Sequence, residues 1–126
     1  MNVVLDVLPE ALAICRLGTS AAVPEWATSG PFSSITRTNT ELSIICASAL
    51  VPDGVATSRG WRALVLRGPF DFNLVGVLLA VIAPLAAAGV SILTIATYDT
   101  DYVLVRDDQL QRAIAALAIA GHDVRT

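Results

Sequence analysis

From Leu74 to Ala96 the chain runs for 23 positions without a charged residue. A stretch of that kind must be buried, either in a bilayer or in a protein core, because exposing so much apolar surface to water is unfavourable. Its period decides between the two. Pro84 interrupts the run, and after Gly89 the unbroken apolar residues give way to alternation with Ser91, Thr94 and Thr97. A segment that changes period is a poor membrane span, so the run is read as a helix from Leu74 to Ala88, a turn and a strand, all inside a soluble core. Gly76, Ala80, Ala83, Ala86 and Ala87 are small enough to let that helix lie close on a sheet. Asp71 or Asn73 is placed to cap its start, and Gly89 to end it in a left-handed conformation.

The strand that follows opens a hairpin. Ile92, Thr94 and Ala96 fall on one face and Leu93, Ile95 and Thr97 on the other, while Asp101 to Val105 is again rich in β-branched and aromatic residues. Between them Tyr98-Asp99-Thr100-Asp101 is of turn type. Two carboxylates and two threonine hydroxyls crowd this tip beside two tyrosines, Tyr98 and Tyr102, a chemistry that suits a small ligand. Asp107 or Asp108 then caps a helix from Gln109 to Ala120, in which Leu110, Ala113, Ile114 and Leu117 recur at helical spacing. Gly121 ends it and His122 to Val124 adds a final edge strand. With the strand Trp61 to Arg67 in front, residues 61–126 read β-α-β-β-α-β, an α+β ferredoxin-like module in which two helices cover one face of an antiparallel sheet.

The first 60 residues read as a reduced version of the same plan. Met1 to Leu8 forms an edge strand stopped by Pro9, and Leu12 to Leu17 a second strand. The loop Gly18 to Pro31 holds one helical turn at Glu25 to Ala27, which lays Trp26 over apolar surface. Phe32 to Arg37 and Glu41 to Ala47 make a hairpin around Thr38-Asn39-Thr40. Ser48 to Arg59 is the connector. The expected organisation is two modules in tandem, 1–60 reduced and 61–126 complete.

Composition excludes several functions. All eight basic residues are arginines, dispersed from Arg16 to Arg125 in a chain of net charge −3, so no nucleic-acid surface forms. Cys15 and Cys46 sit in apolar runs without metal-ligand spacing and read as core thiols. One histidine, His122, supports neither a histidine metal site nor a catalytic triad. No metal, cofactor or catalytic set is therefore expected. The N-terminal MNVVLDVLPE is broken by Asp6 and Glu10 and lacks signal-peptide shape, which makes the expected location cytoplasmic. With 55% hydrophobic and 15% charged residues, part of the apolar surface is expected in a subunit interface, so a homodimer is anticipated rather than a monomer.

The tandem pattern, the RGPFDF turn before an alanine-rich helix, the AGVSI entry and the segment ATYDTDYVLVRDDQLQRAIAAL resemble a known family, as do ELSIIC and GWRALVLRG as strands. They are similar to small bacterial proteins built from two ACT-type modules, related to the arginine-sensing CASTOR proteins. The resemblance implies an amino-acid sensor whose effector lies at a module interface. Its glycine-containing turn matches Gly89, Val90 and Ser91, and its Thr-aromatic-x-x-Asp segment matches Thr97, Tyr98 and Asp101. It implies that backbone groups from Gly89 to Ile92 hold the α-carboxylate or amine and that Asp101 pairs with an ammonium or guanidinium group. The related sensors carry four modules and this chain two, so the site is expected to depend on dimerisation.

Each of these residues also has a plain structural reading. Asp101 can be a polar strand start, Tyr98 can close a sheet edge, Thr97 can bond neighbouring backbone, and a helix cap accounts for Gly89. Asp71, Phe72 and Asn73 stand at the mouth of a helix N-terminus, which suits a carboxylate ligand, although capping alone explains Asp71 and Asn73. A scaffold that dimerises and binds nothing is the alternative function. A small enzyme using Asp99 and Asp101 as an acid–base pair ranks below both, because no second catalytic group stands at recognisable spacing.

Overall fold

The structure, a computed structural model, describes residues 1–71 and 73–126. They divide into two compact units, one made of Met1–Pro9 together with Arg62–Thr126 and one of Glu10–Trp61.

In the first unit, the second half of strand β5 (Ala56–Leu66) is followed by α1 (Val77–Ala87), β6 (Ile92–Ala96), β7 (Asp101–Arg106), α2 (Leu110–Ile119) and β8 (Asp123–Arg125). The chain's own start adds β1 (Val4–Val7). The strand order is β6-β7-β5-β1-β8. Strand β1 pairs antiparallel with β5, with Leu5 opposite Leu66, and parallel with β8, with Leu5 opposite Val124. The edge strand expected here is thus an interior one. Local alternation is silent on this point, because whether one or both sides of a strand are paired depends on which distant strands arrive beside it.

Both helices lie on one face of this sheet. Val77, Val81 and Leu85 of α1 and Leu110, Ala113 and Leu117 of α2 share one core with Leu5, Leu64, Leu66, Val103 and Val105. Steps of three and four on the helices and of two on the strands aim these side chains inward. Burying each leucine or valine contributes about 1.5–3 kcal/mol. Among the described residues no helix is long and apolar enough to cross a membrane.

Helix α1 starts at Val77, three residues later than its apolar pattern suggests. Gly76 has φ +87°, outside the helical region, and its carbonyl takes the first helical bond from Ala80 N–H at 2.9 Å. Neither expected cap reaches the helix. The Asp71 carboxylate instead accepts Asn73 N–H at 2.8 Å in a local turn.

Pro84 lies inside α1 and has no N–H to give Ala80, four residues back. His122 fills that role. Its Nε2 is 2.8 Å from Ala80 O, and its Nδ1 accepts Val3 N–H at 3.0 Å. Since Val3 can only donate, the ring carries its proton on Nε2 and donates it to Ala80. This buried histidine therefore ties the N-terminal segment, α1 and the entry to β8 together.

The second unit is a sheet of order β3-β4-β2-β5, with β2 (Leu12–Leu17), β3 (Ser33–Arg37), β4 (Leu42–Ala47) and the first half of β5 all antiparallel. Strand β5 begins at Ala56 because residues 56–58 pair with β2, in a stretch expected to be connector. Ala13 and Cys15 face Leu42, Ile44 and Cys46 in its core, and the 3-10 turn Glu25–Thr28 covers them with Ala27 and Trp26. Burial first, and then the neighbouring Cys15, push the Cys46 thiol above its ordinary value. Both cysteines are free core thiols.

Candidate functional site

The tip of the β6–β7 hairpin is held rigidly by its own threonines. Thr97 N–H and hydroxyl both donate to Thr100 O, at 2.8 and 3.0 Å, and Thr97 Oγ1 accepts Thr100 N–H at 3.2 Å. Thr100 hydroxyl then donates to Leu66 O at 2.6 Å, and Phe70 N–H donates to Asp99 O at 2.9 Å. The turn spans Thr97 to Thr100, one residue earlier than its composition suggests, and Asp101 already pairs with Ala96 in the ladder. The Thr97 hydroxyl is occupied by this turn in both its roles.

Beside the tip lies a groove of about 410 Å³. One wall is Ala96 to Asp101. The other is Leu74 to Leu79, which includes the first turn of α1, and Phe70 and Asp71 complete the lining. The ionisable side chains lining it are Asp71, Asp99, Asp101 and Tyr98. The first turn of α1 also lines the groove, and the first N–H groups of a helix have no intrahelical acceptor and carry the positive end of its dipole. A groove lined both by carboxylates and by a helix N-terminus is complementary to a zwitterion.

Among the described residues eight large hydrophobic side chains are exposed, and four of them, Leu74, Val75, Leu79 and Tyr98, line this same groove. Reasoning from the sequence missed the first three, which fit the helical pattern of the run and gave no sign of facing outward. Tyr98 is 81% exposed at the rim of this groove, where an aromatic ring can cover a ligand's side chain.

Asp71, Thr97, Tyr98 and Asp101 come together at this groove. Phe72 lies outside the described residues, and Asn73 is not in the lining. Gly89, Val90, Ser91 and Ile92 lie at the opposite end of β6, beyond the C-terminus of α1. There Gly89, at φ +75°, donates its N–H to Ala86 O and Val90 donates to Leu85 O, both at 3.0 Å, which closes the helix. Val90 and Ile92 pack their side chains in the core. Six positions separate Ser91 from Thr97, roughly 20 Å of extended strand. No single free amino acid spans that distance within one chain. Among the described residues there is also no group of three His, Cys, Asp or Glu side chains arranged to hold a metal ion.

The sequence β5-α1-β6-β7-α2-β8, with both helices on one face, defines a ferredoxin-like α+β module. The model of the ACT domain family matches residues 56–118, half of the chain, and a second model, described as an N-terminal domain, matches residues 10–54. The chain belongs to the ACT domain family. A crystal structure of a protein from Agrobacterium tumefaciens is similar at 40% identity, covering 98% of this chain and 92% of its own, with a TM-score of 0.93. A protein of unknown function from Vibrio cholerae, described as a possible transport protein, is 20% identical over 94% of this chain and 90% of its own, at a TM-score of 0.78. The ligand-free regulatory subunit of aspartate kinase from Thermus thermophilus shares the fold at 12% identity, over 89% of this chain and 93% of its own, with a TM-score of 0.62. No curated protein matches the chain.

Proposed function

We propose that this chain is a non-catalytic regulatory protein that binds an amino acid at an interface formed when two copies associate. The observation that carries the reading is the groove, which Asp99 and Asp101 of the hairpin tip line together with the first turn of α1. An α-ammonium group would sit against the carboxylates, and an α-carboxylate against the free N–H groups of the helix. Family membership and the likeness to an aspartate kinase regulatory subunit support the same class of effector. Every amino acid carries an ammonium group, so Asp101 does not by itself select arginine.

A homodimer resolves the separation of the two half-sites. Among the described residues strand β6 pairs only with β7, which leaves its other edge open. Antiparallel approach of two copies along β6 would bring Gly89–Ile92 of one beside Thr97–Asp101 of the other. The apolar rim of Leu74, Val75 and Leu79 would be covered in the process. Residues 1–60 are read as the reduced companion module of the tandem that the CASTOR-like resemblance implies, and occupancy passes to a partner by a change in module packing. The protein acts in the cytoplasm on this reading.

A thermal-shift screen of the purified protein against the standard amino acids at millimolar concentration, run beside its native mass, tests the proposal. Ligand at a hundred times its dissociation constant adds about 2.7 kcal/mol, which is readily measured. One amino acid is expected to raise the melting temperature, and Asp101→Ala is expected to abolish that rise while leaving the mass unchanged. A dimer that responds to none of them would be a scaffold, the reading that the apolar rim alone supports.

A further inference from the structure

The turn Gly89–Ser91 is already occupied by a side chain of its own chain. Gln109, in the 3-10 turn Asp107–Gln109 that leads into α2, accepts Ser91 N–H through Oε1 at 3.1 Å and donates from Nε2 to Gly89 O at 3.4 Å. The other backbone donors of the turn, Gly89 N–H and Val90 N–H, are committed to closing α1. Gln109 thus holds one acceptor and one donor of the turn, two residues apart.

We infer that Gln109 is a self-occupying gate, whose carboxamide holds the half-site in the absence of effector and is displaced when an amino acid binds. The chemistry matches on both sides. A carboxamide presents a donor and an acceptor side by side, and the α-ammonium and α-carboxylate of an amino acid present the same pair with charge added. Charge-assisted bonds are the stronger ones, so exchange of Gln109 for the effector is favourable at sufficient concentration. Displacement also releases the start of α2 from the end of α1, so that occupancy is communicated by the freed Gln109 to the helix that follows it. This inference rests on the reading of Gly89–Ile92 as half of an amino-acid site.

The variants Gln109→Ala and Gln109→Met test it by titration calorimetry, with the standard amino acids as probes and the ligand-free melting temperature as a check on folding. Methionine keeps the length of the side chain and removes its hydrogen bonds, so it separates the loss of the contact from the opening of space. The expected result is a dissociation constant lower by roughly three- to tenfold in both variants, the range that one net hydrogen bond covers. An amino acid that binds the variants and not the parent would support the gate equally. Unchanged or weaker binding in folded variants, with the parent binding normally, would overturn the gate and leave the sensing function standing. Binding of no amino acid to the parent or to either variant would overturn both.

Discussion

The backbone N–H of Val3 donates to Nδ1 of His122 at 3.0 Å, joining residues 119 positions apart. The same ring gives its other nitrogen to Ala80 O, the carbonyl that Pro84 leaves without a helical donor. One side chain thus compensates a defect in α1 and anchors the chain's first strand.

His122→Ala is accordingly expected to destabilise the protein by about 2–4 kcal/mol, since it leaves a buried N–H and a half-buried carbonyl unpaired and opens a cavity. In a Pro84→Ala background, where residue 84 can again donate to Ala80, the same substitution is expected to cost about 1 kcal/mol less. Urea denaturation of the four proteins in this double-mutant cycle measures the coupling. Strictly additive losses would mean that His122 does not serve the Ala80 carbonyl.

Arg67 donates to both carboxylate oxygens of Asp6, from Nε at 3.0 Å and from Nη2 at 2.5 Å. That hydrogen-bonded pairing holds the Asp6 carboxyl below its ordinary value and the Arg67 guanidinium above its own. A carboxyl depressed in the folded state stabilises the fold above its unfolded value and loses that contribution as pH falls. Asp6→Asn is therefore expected to lower the melting temperature slightly at pH 7, with the difference from the parent closing below about pH 4. The pair is exposed, so the effect is small and weakens with added salt.

Leu79 is 62% exposed on α1 and lines the groove. Leu79→Glu is expected to change the stability of the isolated chain by less than about 0.5 kcal/mol, as surface substitutions do. In the proposed dimer it places an unpaired charge in an apolar contact, so native mass by light scattering is expected to fall to that of the monomer. A dimer unaffected by the change would place the contact on another surface.

Much of the fold was legible in local pattern. Strand alternation at Leu42–Ala47 and Ile92–Ala96, and helical spacing of Leu110, Ala113 and Leu117, need only neighbours in sequence to be read, and each is found in place. The start of α1 was misjudged because apolar residues continue back to Leu74, while the backbone departs from the helix at Gly76. The tip residues Thr97 to Asp101 stood out as an unusual concentration of polar chemistry, and the structure puts them beside a groove.

The sequence by itself determined most of the strands and helices and which face of each is apolar, because those follow from periods of two and about three and a half in side-chain direction. It also fixed the acidic, aromatic character of the hairpin tip. Only the tertiary structure decided that β1 lies between β5 and β8, that His122 serves the carbonyl orphaned by Pro84, and that Gln109 grips the turn 18 to 20 residues before it. Each of these joins groups far apart in the chain, where no local periodicity carries information. Which partner a strand edge or an unpaired backbone group finds is settled when distant segments pack, by the need to satisfy every buried polar group at once.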